Sequence, residues 1–185
     1  MPTDDLAGRV VLVTGGGKGV GAAVARVFAR RGATVLINYF HSRPAAEALR
    51  AELIAQGVPA TLLRASVAKR AQVDEMFDAV TRDFGRLDIL INNAALGSLR
   101  PLAELDERDW TRTFDTILRG SLWCSQRAAA LMPAGGAIVN LSSLGSPMVL
   151  DNYTAIGTAK AALESLTRYL AVEFAPATGT GLVED

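Results

Sequence analysis

The chain has 185 residues, half of them hydrophobic and 21% charged, which suits one folded domain with a substantial core and excludes a disordered or fibrous protein. Nineteen basic residues balance nineteen acidic ones without a long run of either sign, so no general field exists to draw nucleic acid or an anionic membrane surface. One cysteine, Cys124, and one histidine, His41, leave no internal disulfide, no histidine metal cluster and no histidine-based triad to expect.

Short runs of Val, Ile and Leu alternate with longer segments of helical period, which predicts a parallel sheet with crossover helices. The first strand is Arg9 to Thr14 (RVVLVT), followed by a glycine loop and a helix over about 20–31 with Val24, Val27 and Phe28 on one face. The second strand is Ala33 to Asn38. Pro44 then opens a helix whose end is marked by Gly57. Ala60 to Ala65 is the third strand, and the helix over 70–84 carries Val73, Met76, Phe77, Val80 and Phe84 as an inward stripe.

Leu87 to Asn93 is the fourth strand. A long helix is expected from about Ala103 to Met132, with Cys124 as a small buried residue on it. Ala137 to Ser143 is the fifth strand, and a helix follows from about Asn152 to Phe174. With no repeat, low-complexity region or linker, residues 1–185 read as a single α/β domain, a doubly wound parallel sheet of the Rossmann type. No apolar stretch approaches the roughly 20 residues of a membrane span. The N-terminus has acids where a signal peptide carries basic residues, so a cytoplasmic protein is expected.

TGGGKGVG, residues 14–21, joins the first strand to the first helix. At that place a nucleotide pyrophosphate meets backbone N–H groups and the positive end of a helix. Gly15, Gly17, Lys18, Gly19, Val20 and Gly21 are therefore candidate cofactor contacts, although a glycine cluster after a strand also serves as a plain tight turn. The second strand runs out as Asn38-Tyr39-Phe40-His41-Ser42-Arg43. It carries none of the Asp or Glu that holds the adenine ribose in NAD enzymes. Lys18 and Arg43 are the candidate partners of a 2′-phosphate, and the cofactor expected is NADP(H).

Tyr153 precedes Lys160 by seven positions in NYTAIGTAK. On a helix this returns almost to the same face about 10 Å further along. The pair can bracket a nicotinamide ribose, the lysine binding its hydroxyls and the tyrosine reaching a substrate oxygen. The neighbouring ammonium favours phenolate over phenol and makes the tyrosine a better acid.

TGGGKGVG, NNAA at 92–95, NLSSLGS at 140–146 and the Tyr/Lys pair resemble the short-chain dehydrogenase/reductase family over essentially the whole chain. In most of that family the pair is Tyr-x-x-x-Lys with a serine about thirteen residues before the tyrosine. Ser143 and Lys160 fit this frame, but Ile156 stands at the tyrosine position. The Tyr-x6-Lys spacing, with INYFHS, NNAALGSLRPLAELDERDW and NLSSLGSPMVLDNYTAIGTAKAALESLTRYLAVE, is similar to the NADPH-dependent enoyl-acyl carrier protein reductase III branch.

That resemblance implies a tyrosine moved one helical turn to meet the thioester oxygen of an enoyl substrate, where charge develops two bonds beyond the carbon receiving hydride. It assigns Tyr153, Lys160 and Ser143 to catalysis. Ser142 and Ser143 could polarise a carbonyl or merely cap the strand. Ile117 stands where many relatives carry a proton-relay asparagine. Asn93 and Ala94 are expected beside the adenosine, with Ser66, Val67 and Tyr39 near the adenine.

Three readings follow. One is an enoyl thioester reductase acting on an acyl carrier protein or coenzyme A substrate in fatty acid biosynthesis. The others are a ketone or quinone reductase using Ser143 with Tyr153, and a non-catalytic nucleotide binder. The helices over 103–132 and 152–174, the latter with Ala155, Ala159 and Ala162 on one side, are the faces through which relatives form dimers on the way to tetramers. The tail ATGTGLVED resembles the loop after the family's sixth strand. Residues are therefore expected to be missing between about Pro176 and Ala177, together with the sixth strand and an acyl-binding lid.

Overall fold

The computed structural model describes residues 5–132, 135–178 and 181–184, by backbone alone from residue 175. Its strands are β1 (Val10–Val13), β2 (Thr34–Tyr39), β3 (Ala60–Arg64), β4 (Ile89–Asn92), β5 (Ala137–Asn140) and β6 (Gly181–Glu184). The helices are α1 (Gly19–Arg30), α2 (Arg43–Ala55), α3 (Arg70–Phe84), α4 (Glu107–Phe114), α5 (Gly120–Ala129) and α6 (Thr154–Thr178). All strands pair parallel in the order β3-β2-β1-β4-β5-β6. The order reverses between β1 and β4, and in such sheets the crevice at that reversal receives the ligand.

Strand alternation divides the core between two layers. Leu12, Leu36, Leu63, Leu90 and Ile138 pack under Val73, Phe77 and Val80 of α3 and Cys124 and Ala128 of α5. Their neighbours Val11, Val13, Val35 and Ile37 face Ala22, Ala25 and Ala29 of α1 and Ala46, Leu49 and Leu53 of α2. Because both faces are covered, the strands read as continuous apolar runs, and each fully buried Val or Leu contributes about 1.5–3 kcal/mol.

Several expectations need correction. The inward face of α1 is Gly21, Ala22, Ala25 and Ala29, whereas Val27 is 42% exposed. Small side chains let this helix lie close to the sheet, and the larger ones are displaced to its flanks. The long helix expected over 103–132 is a 3-10 turn at Leu102–Glu104, then α4, a π-helical turn at Asp115–Arg119, and α5. Asp106 sets the start of α4 by accepting the Asp109 N–H at 2.7 Å, an N-cap that satisfies one of the orphan donors of the first turn.

At the C-terminus α6 extends to Thr178. The tail is not only a loop. Gly181–Glu184 adds to the open edge of β5, pairing Ala137 with Gly181 and Asn140 with Glu184, because an unpaired edge offers N–H and C=O groups to a chain passing beside it. Ala155 and Ala159 are 1% and 0% exposed. Ala159 packs against Ile117 and Leu163 within the chain.

Candidate active site

The ends of β1, β2 and β4 are tied together by three polar side chains. Thr14 Oγ1 donates to the Ile91 carbonyl and accepts the N–H groups of Asn93 and Ala94, both at 3.0 Å. Asn93 Nδ2 donates to the carbonyls of Thr14 and Gly15. Asn38 Oδ1 accepts the Gly15 N–H, while its Nδ2 donates to Leu63 and Ala65. Thr14 and Asn38 were not singled out in the sequence, although a polar residue closing a fully apolar strand is a detectable signal. Buried polar groups persist only when hydrogen-bonded, so these three hold the loop in one shape.

Along the rim they define runs an open cleft of about 670 Å³, reaching from Lys18 and Gly19 past Tyr39, Ser66 and Val67 to Leu96 and Arg112. Gly15 and Gly19 have φ of +62° and +55°, a region open to glycine and costly for other residues. A Cβ on Gly15 would approach Ala94 Cα to 3.0 Å, whereas one on Gly19 would meet nothing within 4 Å. The floor is thus tight at Gly15 and open at Gly19, at the N-terminus of α1. That shape admits a phosphate to backbone N–H groups.

The expected cofactor residues separate into two groups. Gly15, Lys18, Gly19, Tyr39, Ser66, Val67, Asn93 and Ala94 line the cleft. Gly17 and Gly21 instead face protein, since a Cβ there would strike Ala46 and Ser42, or Asn93 and Gly15. Val20 is 60% exposed and lies outside the cleft lining. Arg43 is drawn away: its guanidinium pairs with Glu47 one turn along α2, and it does not line the cleft. Lys69 and Arg112 take the role of additional cations in the lining, and its one carboxylate, Asp115, is paired with Arg119. An excess of positive charge suits a 2′-phosphate and a pyrophosphate, so the residues present fit NADP(H).

Beyond the cleft lining, residues 141–143 are held by α6 and its leading turn at three successive positions. Lys160 Nζ donates to the Leu141 carbonyl, Ser142 Oγ donates to Glu164 Oε1, and Tyr153 Oη donates to Ser143 Oγ at 3.4 Å. Ser142 is therefore turned to the helix and Ser143 to the tyrosine. Leu141 also donates its N–H to the Asn92 carbonyl. This places the Lys160 contact one strand over from Asn93, the end of the cleft. Lys160 is 5% exposed, and burial lowers its pKa from 10.5 to about 8.

The tyrosine is set by backbone on two sides. Asn152 has φ of +59°, a conformation that Asn tolerates better than most residues. Gly145 lies so close under the ring that a Cβ would stand 2.4 Å from Cδ1 and Cε1. One turn on, Ile156 fills its place against Gly97, where a Cβ would meet Ile156 Cγ1 at 2.3 Å. Ile117 is 1% exposed within the π-helical turn and packs with Ala159 and Leu163.

A glycine loop on the first parallel unit, a cleft at the strand-order reversal, and a Tyr/Lys pair on the helix after β5 define the relationship. The chain belongs to the short-chain dehydrogenase/reductase family. The family profile described as Enoyl-(Acyl carrier protein) reductase matches residues 15–179. A short-chain dehydrogenase from Burkholderia cenocepacia, solved in complex with NADP, superposes with a TM-score of 0.92 at 36% identity, covering 97% of this chain and 74% of that one.

Among curated relatives, a 1-cyclohexenylcarbonyl-CoA reductase from Streptomyces collinus is 38% identical over 91% of this chain and 60% of its own length. A hydroxynaphthalene reductase from Aspergillus fumigatus is 34% identical over 91% of this chain and 62% of its own. This short-chain dehydrogenase/reductase thus spans about three fifths of those two relatives. The solved relative holds NADP, the cofactor that the cleft residues of this chain also fit. Among the described residues no helix is long and apolar enough to cross a membrane, and no His, Cys, Asp and Glu group is arranged to hold a metal.

Proposed function

We propose that this protein reduces the carbon–carbon double bond of an enoyl thioester with NADPH. The observation that carries the reading is the place of the phenol. Tyr153 Oη stands at Ser143, with Lys160 at Leu141, while the position one turn on is filled by Ile156 packed against Gly97. A proton donor at Tyr153 meets charge developing on a thioester oxygen, two bonds from the carbon that receives hydride. When bound, NADPH supplies that hydride.

In this mechanism Gly15, Lys18, Gly19, Asn93 and Ala94 bind and orient the dinucleotide, with Ser66 and Val67 along the adenine side. Lys160 holds the nicotinamide ribose hydroxyls. Tyr153 donates a hydrogen bond to the thioester oxygen and stabilises the enolate, and Ser143 orients the phenol. Leu144, Met148 and Val149, exposed by 64%, 54% and 99% on the turn leading to Tyr153, provide apolar surface for the acyl portion. The carrier is acyl carrier protein or coenzyme A, the process fatty acid biosynthesis, and the assembly a homo-oligomer, dimer or tetramer, built through α4, α5 and α6.

One observation favours a second reading, reduction of a ketone or quinone: the Ser143–Tyr153 hydrogen bond is the pairing such an acid requires. NADPH oxidation measured against crotonyl and acetoacetyl thioesters separates the possibilities. Consumption with the crotonyl substrate is expected. Consumption with acetoacetyl alone transfers the assignment to ketone reduction, and consumption with neither leaves a nucleotide-binding protein.

A further inference from the structure

Asp109 occupies the third position of α4, where a carboxylate ordinarily turns back to the N-cap N–H and completes a capping box. Only half of that arrangement is present. The Asp109 N–H donates to Asp106 Oδ1, but the Asp109 carboxylate turns to the segment after β4. Ser98 Oγ donates to its Oδ1 at 2.6 Å, and the Arg100 guanidinium approaches its Oδ2 to 3.3 Å. The residue is 8% exposed, and Oδ2 is buried without a hydrogen bond. It borders a small cavity of about 100 Å³ with Gly97, Ser98, Arg112 and Thr113. A buried carboxylate carries a desolvation cost that ordinary helix capping does not require.

What that carboxylate holds is a strap across the start of α6. Gly97 lies against Ile156 with no room for a side chain, and the Arg100 N–H donates to the Asn152 carbonyl at 3.1 Å. Asn152 is the left-handed residue that turns the chain into Tyr153. Asp109 therefore reaches the tyrosine in two steps, through Ser98 and Arg100 to the peptide preceding it.

We propose that Asp109 is a positioning residue for Tyr153, fixing through the 97–100 strap the carbonyl of Asn152 and with it the direction of the phenol; this rests on Tyr153 acting as the donor. Displacing a catalytic group by a fraction of an ångström reduces turnover, whereas Ser98, Arg100 and Asp109 are themselves outside the lining of the cofactor cleft, so NADPH affinity should change far less.

The test uses the whole chain carrying 13Cζ-tyrosine, whose three tyrosines give three signals, with Tyr153 assigned from Y153F. In D109A, and in the milder S98A, the Tyr153 resonance is expected to move while those of Tyr39 and Tyr169 stay. With crotonyl thioester, kcat should fall about tenfold or more in D109A, with the Kd for NADPH within about twofold of wild type. D109N, which retains an oxygen for Ser98, should recover most of the loss. In a Y153F background D109A should add nothing. An unmoved Tyr153 resonance in both D109A and S98A, or losses in D109A and Y153F that multiply, overturns the proposal. A wild-type protein inert toward crotonyl thioester defeats the enoyl assignment instead, and the resonance still decides the role of Asp109.

Discussion

Lys160 combines a functional position with an energetic cost. Its ammonium is almost wholly buried and its pKa is lowered from 10.5 to about 8 by desolvation, a penalty of about 3 kcal/mol while the group is charged. The unfolded chain binds the proton more tightly than the native one, so the penalty is complete below pH 8 and is relieved as pH rises from about 8 to 10.5. Relative to K160M, the unfolding free energy of the wild type should rise by about 3 kcal/mol across that interval, as read from urea denaturation at each pH. Nearby, Gly145→Ala would drive a methyl group into the Tyr153 ring. Turnover should drop at least tenfold, with NADPH affinity held within about twofold.

At the scale of elements, the sheet and its helices were largely readable because they follow period and punctuation. The α3 stripe of Val73, Met76, Phe77 and Val80 is buried as its spacing required, and Gly85 ends that helix with φ of +66°. The divided helix was not readable in the same way. Leu102 to Met132 contains no proline to mark a break, and a π turn is decided by how Asp115–Arg119 meets α6 and the neighbouring turns.

One polar network and one close backbone contact likewise depend on neighbours distant in sequence. Asn92 Nδ2 donates to Asn140 Oδ1 and Ser125 Oγ, and Asn140 passes the network to Thr167. Asn92→Ala would leave Asn140 and Ser125 short of a partner, and a loss of about 2–3 kcal/mol in urea denaturation is expected. Gly120 presses α5 against the turn after β3, where a Cβ would stand 2.9 Å from the Val67 carbonyl. Gly120→Ala should push back this wall of the cleft, weakening NADPH binding in a fluorescence titration by about tenfold.

For the whole molecule, charge decides the cofactor. Lys18, Lys69 and Arg112 line one cleft against a single paired carboxylate, although the chain as a whole is neutral. NADPH at about 100 times its Kd should add about 2.7 kcal/mol to stability. NADH at the same concentration should raise the melting temperature less, and equal shifts would remove the 2′-phosphate assignment.

The sequence by itself determined the order of strands and helices, the place of the glycine loop and the Tyr/Lys pair, because hydrophobic period and helical spacing are local properties of the chain. Only tertiary structure decided which cations face the cleft, since Arg43 is diverted to Glu47 while Lys69 is brought in from the N-cap of α3 and Arg112 from α4. It also decided that Asp109 turns to a strap rather than its own helix end, and that the tail pairs with β5. Those outcomes depend on which groups burial brings within hydrogen-bond reach, a distance that separation along the chain does not encode.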